Sequence, residues 1–125
     1  AKSIAYSRIG ASGVFFADLI KRLGIAEEVN AKATIIPGGF TAELAARGEV
    51  ELAVQQVSEL MVVHGIDVVG RFPANIESGV VFSAGVFARS EQREAASNLL
   101  RFLSSAQVSS ILTSAGLEPP RRNLT

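Results

Sequence analysis

The stretch SIAYSRIGASGVFFADLIKRLG sets the pattern for the first half of the chain. An apolar run, Ser3 to Ser7, has the form of a buried strand. From Ser12 a period of 3.6 takes over, with Phe15, Phe16, Leu19, Ile20 and Leu23 on one face and Asp18, Lys21 and Arg22 on the other. Ser12 suits the helix N-cap and Gly24 its C-terminal stop. The unit then recurs. ATII (33–36) is strand-like, Pro37-Gly38-Gly39 is a turn, and Thr41 is placed to cap a helix that stops at Gly48. Residues 51–55 read as a third strand, Ser58 as the cap of a helix ELMVVH, and IDVVG (66–70) as a fourth strand.

After Pro73 the pattern changes. VVFSAGVFA (80–88) reads as a longer strand with no helix between it and IDVVG. Ser90 opens a helical stretch whose stripe is Ala95, Ala96, Leu99, Leu100 and Leu103, and a last helix ends at Gly116. The tail EPPRRNLT is expected to lie extended on the surface. Its closing Asn123-Leu124-Thr125 matches a glycosylation sequon too weakly to carry an argument. Short β-branched strands alternating with helices predict an α/β fold, with a mostly parallel sheet and flanking helices.

Composition narrows the function. Twelve basic and twelve acidic side chains cancel, and no segment concentrates one sign, which speaks against a broad nucleic-acid or anionic-membrane surface. With no cysteine and one histidine, thiolate chemistry is excluded and a zinc site disfavoured; no metal or cofactor is expected. No apolar run reaches the roughly 18 residues of a membrane span. No signal peptide opens the sequence; an export signal, if one exists, is expected upstream.

In a parallel α/β sheet the carboxyl ends of the strands and the starts of the following helices share one edge, where ligands collect. Three junctions of this kind, SRIGASG, PGGFTAE and QQVSE, are small and hydroxyl-bearing. Each helix start offers free N–H groups and a positive dipole end, and glycine admits a ligand close to the backbone. Taken singly, each is an ordinary capped turn. Together they suggest a cleft for a small anion, to which the adjacent Gln55 and Gln56 add amides. A serine-hydrolase reading is weaker. GASG lacks the G-x-S-x-G spacing, His64 reads as a dipole partner at a helix end, and Glu59 and Asp67 read as a cap-turn acid and a loop acid.

Five stretches carry a family resemblance: IAYSRIGASGVFFADLIKRLGIAEEV, GEVELAVQQVSEL, GIDVVGRFP, VVFSAGVFARS and EAASNLLRFLSSAQVSSILTSAGLEP. From Ile4 to about Pro119 the chain resembles the second half of type 2 solute-binding proteins of bacterial ABC transporters, in the molybdate-binding-like branch. The resemblance implies a two-lobed protein with ligand held between five-stranded α/β lobes of about 100–150 residues each. It places residues 1–75 as the second-lobe unit and 76–125 as a returning strand and C-terminal helices packed in the same domain.

It also implies ligand contacts at Ala11 and Ser12 and at Thr41 and Ala42. Molybdate binders have a tyrosine hydroxyl where this chain has Gln56, which turns the expectation toward an organic acid or a phosphorylated metabolite. The full expected site is Ser7, Ala11, Ser12, Thr41, Ala42, Gln56 and Ser58, in a non-enzymatic binding domain. By resemblance its partner is a transporter permease and its location the periplasm, with a cytoplasmic location left open. Without a first lobe, Val80, Phe82, Val86, Leu99, Phe102 and Ile111 would be exposed. The chain would then fold its helices back on its own sheet or form a homodimer. The competing expectation is a truncated or repurposed α/β module that works by self-association or partner contact, with no tight ligand.

Overall fold

The computed structural model describes residues 1–76 and 79–119. Two compact units divide the chain, one from Ala1 to Val80 and one from Val81 onward.

The first unit is an α/β layer structure. Three parallel strands, β1 (Ile4–Ser7), β2 (Ala33–Ile36) and β3 (Leu52–Ala53), stand in the order β2-β1-β3. Ile4 pairs with Ala33 on one side and Leu52 on the other, which fixes the register of both ladders. The β1–β2 connection carries α1 (Ala11–Arg22) and α2 (Ala26–Asn30). The β2–β3 connection carries α3 (Thr41–Ala46), and α4 (Val57–Leu60) follows β3.

Central β1 is buried on both faces, as parallel strands covered by helices must be. Its alternation divides the core. Tyr6 packs with Phe16 and Ile20 on the α1 face, joined by Ile4, Val29 and Phe72. Ala5 packs with Leu44 and Val50 on the α3 face. The Tyr6 and Phe16 rings meet edge to face at 5.2 Å, and Phe72 stacks on Phe16 at 6.2 Å. Burying a side chain such as Ile20 contributes about 1.5–3 kcal/mol. The Tyr6 hydroxyl, taken into this core, donates to Asn30 Oδ1 at 2.6 Å at the end of α2, which satisfies a group otherwise costly to bury.

Several expected elements differ. α1 starts at Ala11 with Gly10 at the N-cap, so Ser12 lies inside the helix. Phe40 and Gln56, not Thr41 and Ser58, hold the N-cap positions of α3 and α4. The helix expected to reach His64 ends at Leu60. β3 is only two residues long, although Val54 N–H still donates to the Ala5 carbonyl at 2.9 Å. IDVVG is not a strand. It lines a hollow of about 350 Å³ together with Leu52 and Ala53, so the outer edge of β3 has no ladder among the described residues. Nor is there a strand in 80–88. The reason is common to both: β-branched composition favours extended backbone, but a strand exists only where a neighbouring edge accepts its hydrogen bonds.

Among its described residues the second unit contains two helices, α5 (Arg93–Leu103) and α6 (Ala106–Ser114). Val108 is buried, whereas Val81, Phe82, Phe87, Leu99, Phe102 and Ile111 are exposed. Of the tail, Pro120 to Thr125, including the sequon, lies outside the described residues.

Candidate functional site

With strand order β2-β1-β3, the chain leaves β1 toward one side of the sheet and reaches β3 on the other. The crevice at the carboxyl ends of β1 and β3 is thus a topological switch point, where open α/β sheets bind ligands. A hollow of about 280 Å³ lies there. Its walls come from all three junctions: Ser7 and Ile9 to Ser12 after β1, Gly38 and Gly39 after β2, and Gln55, Gln56 and Glu59 after β3.

The β1–α1 junction is built by close approach. A Cβ added to Gly13 would lie 1.8 Å from the Ser7 carbonyl oxygen, and one on Gly10 would lie 2.5 Å from Ser7 Oγ. Only glycines let the first turn of α1 settle onto the strand end. Ser7 is buried, and its Oγ accepts the Gly10 N–H at 2.9 Å, leaving its own proton to donate. The first hydrogen bond of the helix runs from Val14 N–H to the Gly10 carbonyl at 2.9 Å. The N–H groups of Ala11, Ser12 and Gly13 therefore have no partner within the helix, and no side chain caps them. At the positive end of a twelve-residue helix, such donors favour an anion.

The β2–α3 junction is different. Thr41 and Ala42 are fully buried. The Thr41 N–H donates to Gln55 Oε1 at 2.9 Å, and Thr41 Oγ1 lies 3.0 Å from the same oxygen and 3.2 Å from the Val54 carbonyl. Gln55 Nε2 in turn donates to the Gly39 carbonyl at 3.2 Å, at a residue whose φ of +88° suits glycine. The Gln55 amide thus occupies the place an anion oxygen would take on α3.

Four expected site residues, Ser7, Ala11, Ser12 and Gln56, come together on the hollow; Thr41, Ala42 and Ser58 do not line it. Ile9, Gly10, Gly38, Gly39, Gln55 and Glu59 do, and were not among them. Glu59 carried a signal in the sequence, an acid in the first turn after the third junction. His64 is exposed and outside the hollow. Among the described residues no group of His, Cys, Asp and Glu is arranged to hold a metal.

Uncommitted helix N–H groups at a switch point are the kind of arrangement at which α/β sheets take up ligands. The chain belongs to the bacterial extracellular solute-binding proteins, whose family model matches residues 2–118. It is also 37% identical over 120 residues to an aconitate isomerase from a Pseudomonas species, a match covering 95% of this chain and 45% of that protein. The chain spans less than half the length of that relative. No solved structure matches it. The relative carries an enzyme's name, and this overturns the expectation of a non-enzymatic domain.

Proposed function

We propose that this chain forms one lobe of an extracytoplasmic protein that binds a small unsaturated di- or tricarboxylate and isomerises it. The observation that carries this reading is the hollow at the ends of β1 and β3, where the N–H groups of Ala11 and Ser12 in the first turn of α1 stand uncommitted beside the Ser7 and Ser12 hydroxyls and the Gln56 amide. Donors of this kind hold a carboxylate by charge-assisted hydrogen bonds without a neutralising cation. The name of the relative supplies the substrate class, and the family description supports a location outside the cytoplasm. Among oxyanions, organic acids and phosphorylated metabolites, the relative favours the organic acid. Molybdate is disfavoured by Gln56.

Thermal melts with cis-aconitate, trans-aconitate, citrate, phosphate and sulfate test binding, and proton NMR of aconitate with the protein tests turnover. Binding to the native state alone at a hundredfold excess over Kd adds about 2.7 kcal/mol, so the aconitates should raise Tm by several degrees and sulfate should not. No shift with any carboxylate, together with no isomerisation, overturns the proposal.

The exposed Val81, Phe82 and Phe87 support a second reading, in which the unit from Val81 onward associates with another protein surface, a second copy or a permease among them. Sedimentation that shows a monomer at high concentration rules out the homodimer.

A further inference from the structure

Among the described residues, Glu59 is the only ionisable side chain lining the hollow. In a site built of N–H groups, hydroxyls and amides for carboxylates, a further carboxylate opposes binding, because like charges at short range repel. A structural role would offset that cost, and two are available to an acid three residues after an N-cap. One is a capping box, in which the Glu59 carboxylate would accept the N–H of Gln56, but no such hydrogen bond is present among the described residues. The other is an ion pair, yet each salt bridge among the described residues involves other acids, Asp18, Glu28, Glu43 and Glu49. Glu59 does neither.

Resting on the function proposed above, we infer that Glu59 is the catalytic residue that moves the proton during isomerisation. Changing the geometry of a carbon–carbon double bond requires that bond to become single for a time. In a propene tricarboxylate, a base removes one proton from the saturated CH2 carbon. The C–H electron pair forms a new double bond to the central carbon. The old double-bond pair moves to the far carbon and is delocalised into its carboxylate. The conformation about the bond from the CH2 carbon to the central carbon at the moment of proton removal sets the geometry of the new double bond, and return of one proton from Glu59 to the far carbon completes the exchange. One proton leaves one carbon and one reaches the other, so no oxidant, reductant or metal is needed. The N–H groups of Ala11 and Ser12 lie on the same hollow and oppose the negative charge that develops on the substrate.

The test compares the protein expressed from its complete reading frame with its Glu59→Gln and Glu59→Asp variants, using trans-aconitate in deuterium oxide followed by proton NMR. Wild type should isomerise the substrate and introduce deuterium at its allylic carbons, since a carboxylate-held proton exchanges with solvent. Glu59→Gln should lose both signals by at least about 100-fold while binding the substrate as tightly or more tightly. Glu59→Asp should recover part of the rate at unchanged KM. Near-wild-type turnover or deuterium exchange in Glu59→Gln overturns the inference and leaves the proposed function standing. A loss confined to substrate affinity overturns it as well. If Glu59→Gln does not melt cooperatively, Glu59→Asp decides: full kcat refutes the inference, and reduced kcat with unchanged KM supports it. A wild-type protein that neither binds nor isomerises refutes the proposed function, and this inference with it.

Discussion

The starts of α1 and α3 face the same edge of the same sheet, and only one of them is open. Both follow a strand, both are reached through a glycine-bearing junction, and both carry a hydroxyl within the first two helical residues. At α1, Ser7 Oγ engages only the N–H of Gly10 and leaves those of the first turn free. At α3 the amide of Gln55 arrives from the end of β3 and takes the Thr41 N–H. What makes a helix start a binding site is therefore not its own residues. It is whether another element has already supplied the acceptor.

Gly13→Ala breaks the comparison most strongly, at the open end. The added methyl would meet the backbone of Ser7, which cannot swing aside as a side chain does. Overpacking of this kind costs about 3 kcal/mol, seen as a lower urea midpoint at unchanged slope, and ligand binding should be lost with the turn. Next is Gln55→Ala at the closed end. It strands the buried Thr41 N–H, at a cost of about 1–3 kcal/mol, while carboxylate affinity at α1 stays at the wild-type level by calorimetry. Loss of affinity there would mean that the two starts act as one site. Ser12→Ala reverses the pattern. Its hydroxyl has no partner among the described residues, so stability should change by less than about 0.5 kcal/mol. Carboxylate affinity should fall about fivefold, the worth of one hydrogen bond near 1 kcal/mol.

Some of this contrast is legible in the sequence. The period of Phe16, Leu19 and Ile20 gives the buried face of α1, and the alternation of strands and helices gives the parallel sheet and its ligand edge. What separates the two junctions is not legible. Gln55 and Gln56 stand side by side, and only the fold sends the first amide to Thr41 and leaves the second at the N-cap beside the hollow. Glu59 is hidden for a related reason, since an acid in a first turn is also what a capping box requires. The caps are misplaced because backbone and neighbouring groups, not Ser12, Thr41 or Ser58, begin these helices. IDVVG and residues 80–88 show a different limit. Their β-branched runs have strand propensity, but no local pattern records whether a neighbouring edge will accept their hydrogen bonds. With five residues, α2 is too short to show a helical period.

The smallest effect belongs at the far end of α3, where a change should disturb neither junction. The Arg47 guanidinium lies 2.6 Å from the Glu49 carboxylate, and this hydrogen bond holds the Glu49 carboxyl below its ordinary value of 4.5 and raises that of Arg47. A carboxyl whose pKa is depressed by folding contributes stability above its unfolded pKa and loses it as pH falls through the folded value. Glu49→Gln should therefore flatten the acid side of the stability profile below about pH 4.5 and leave Tm at neutral pH almost unchanged. Both side chains are half-exposed, so water and salt screen the pair, and the difference should shrink further in 0.5 M sodium chloride. Carboxylate binding should not respond. If it does, strain at the C-terminal end of α3 reaches its start through the six-residue helix, and the closure by Gln55 is a property of the whole helix rather than of one amide.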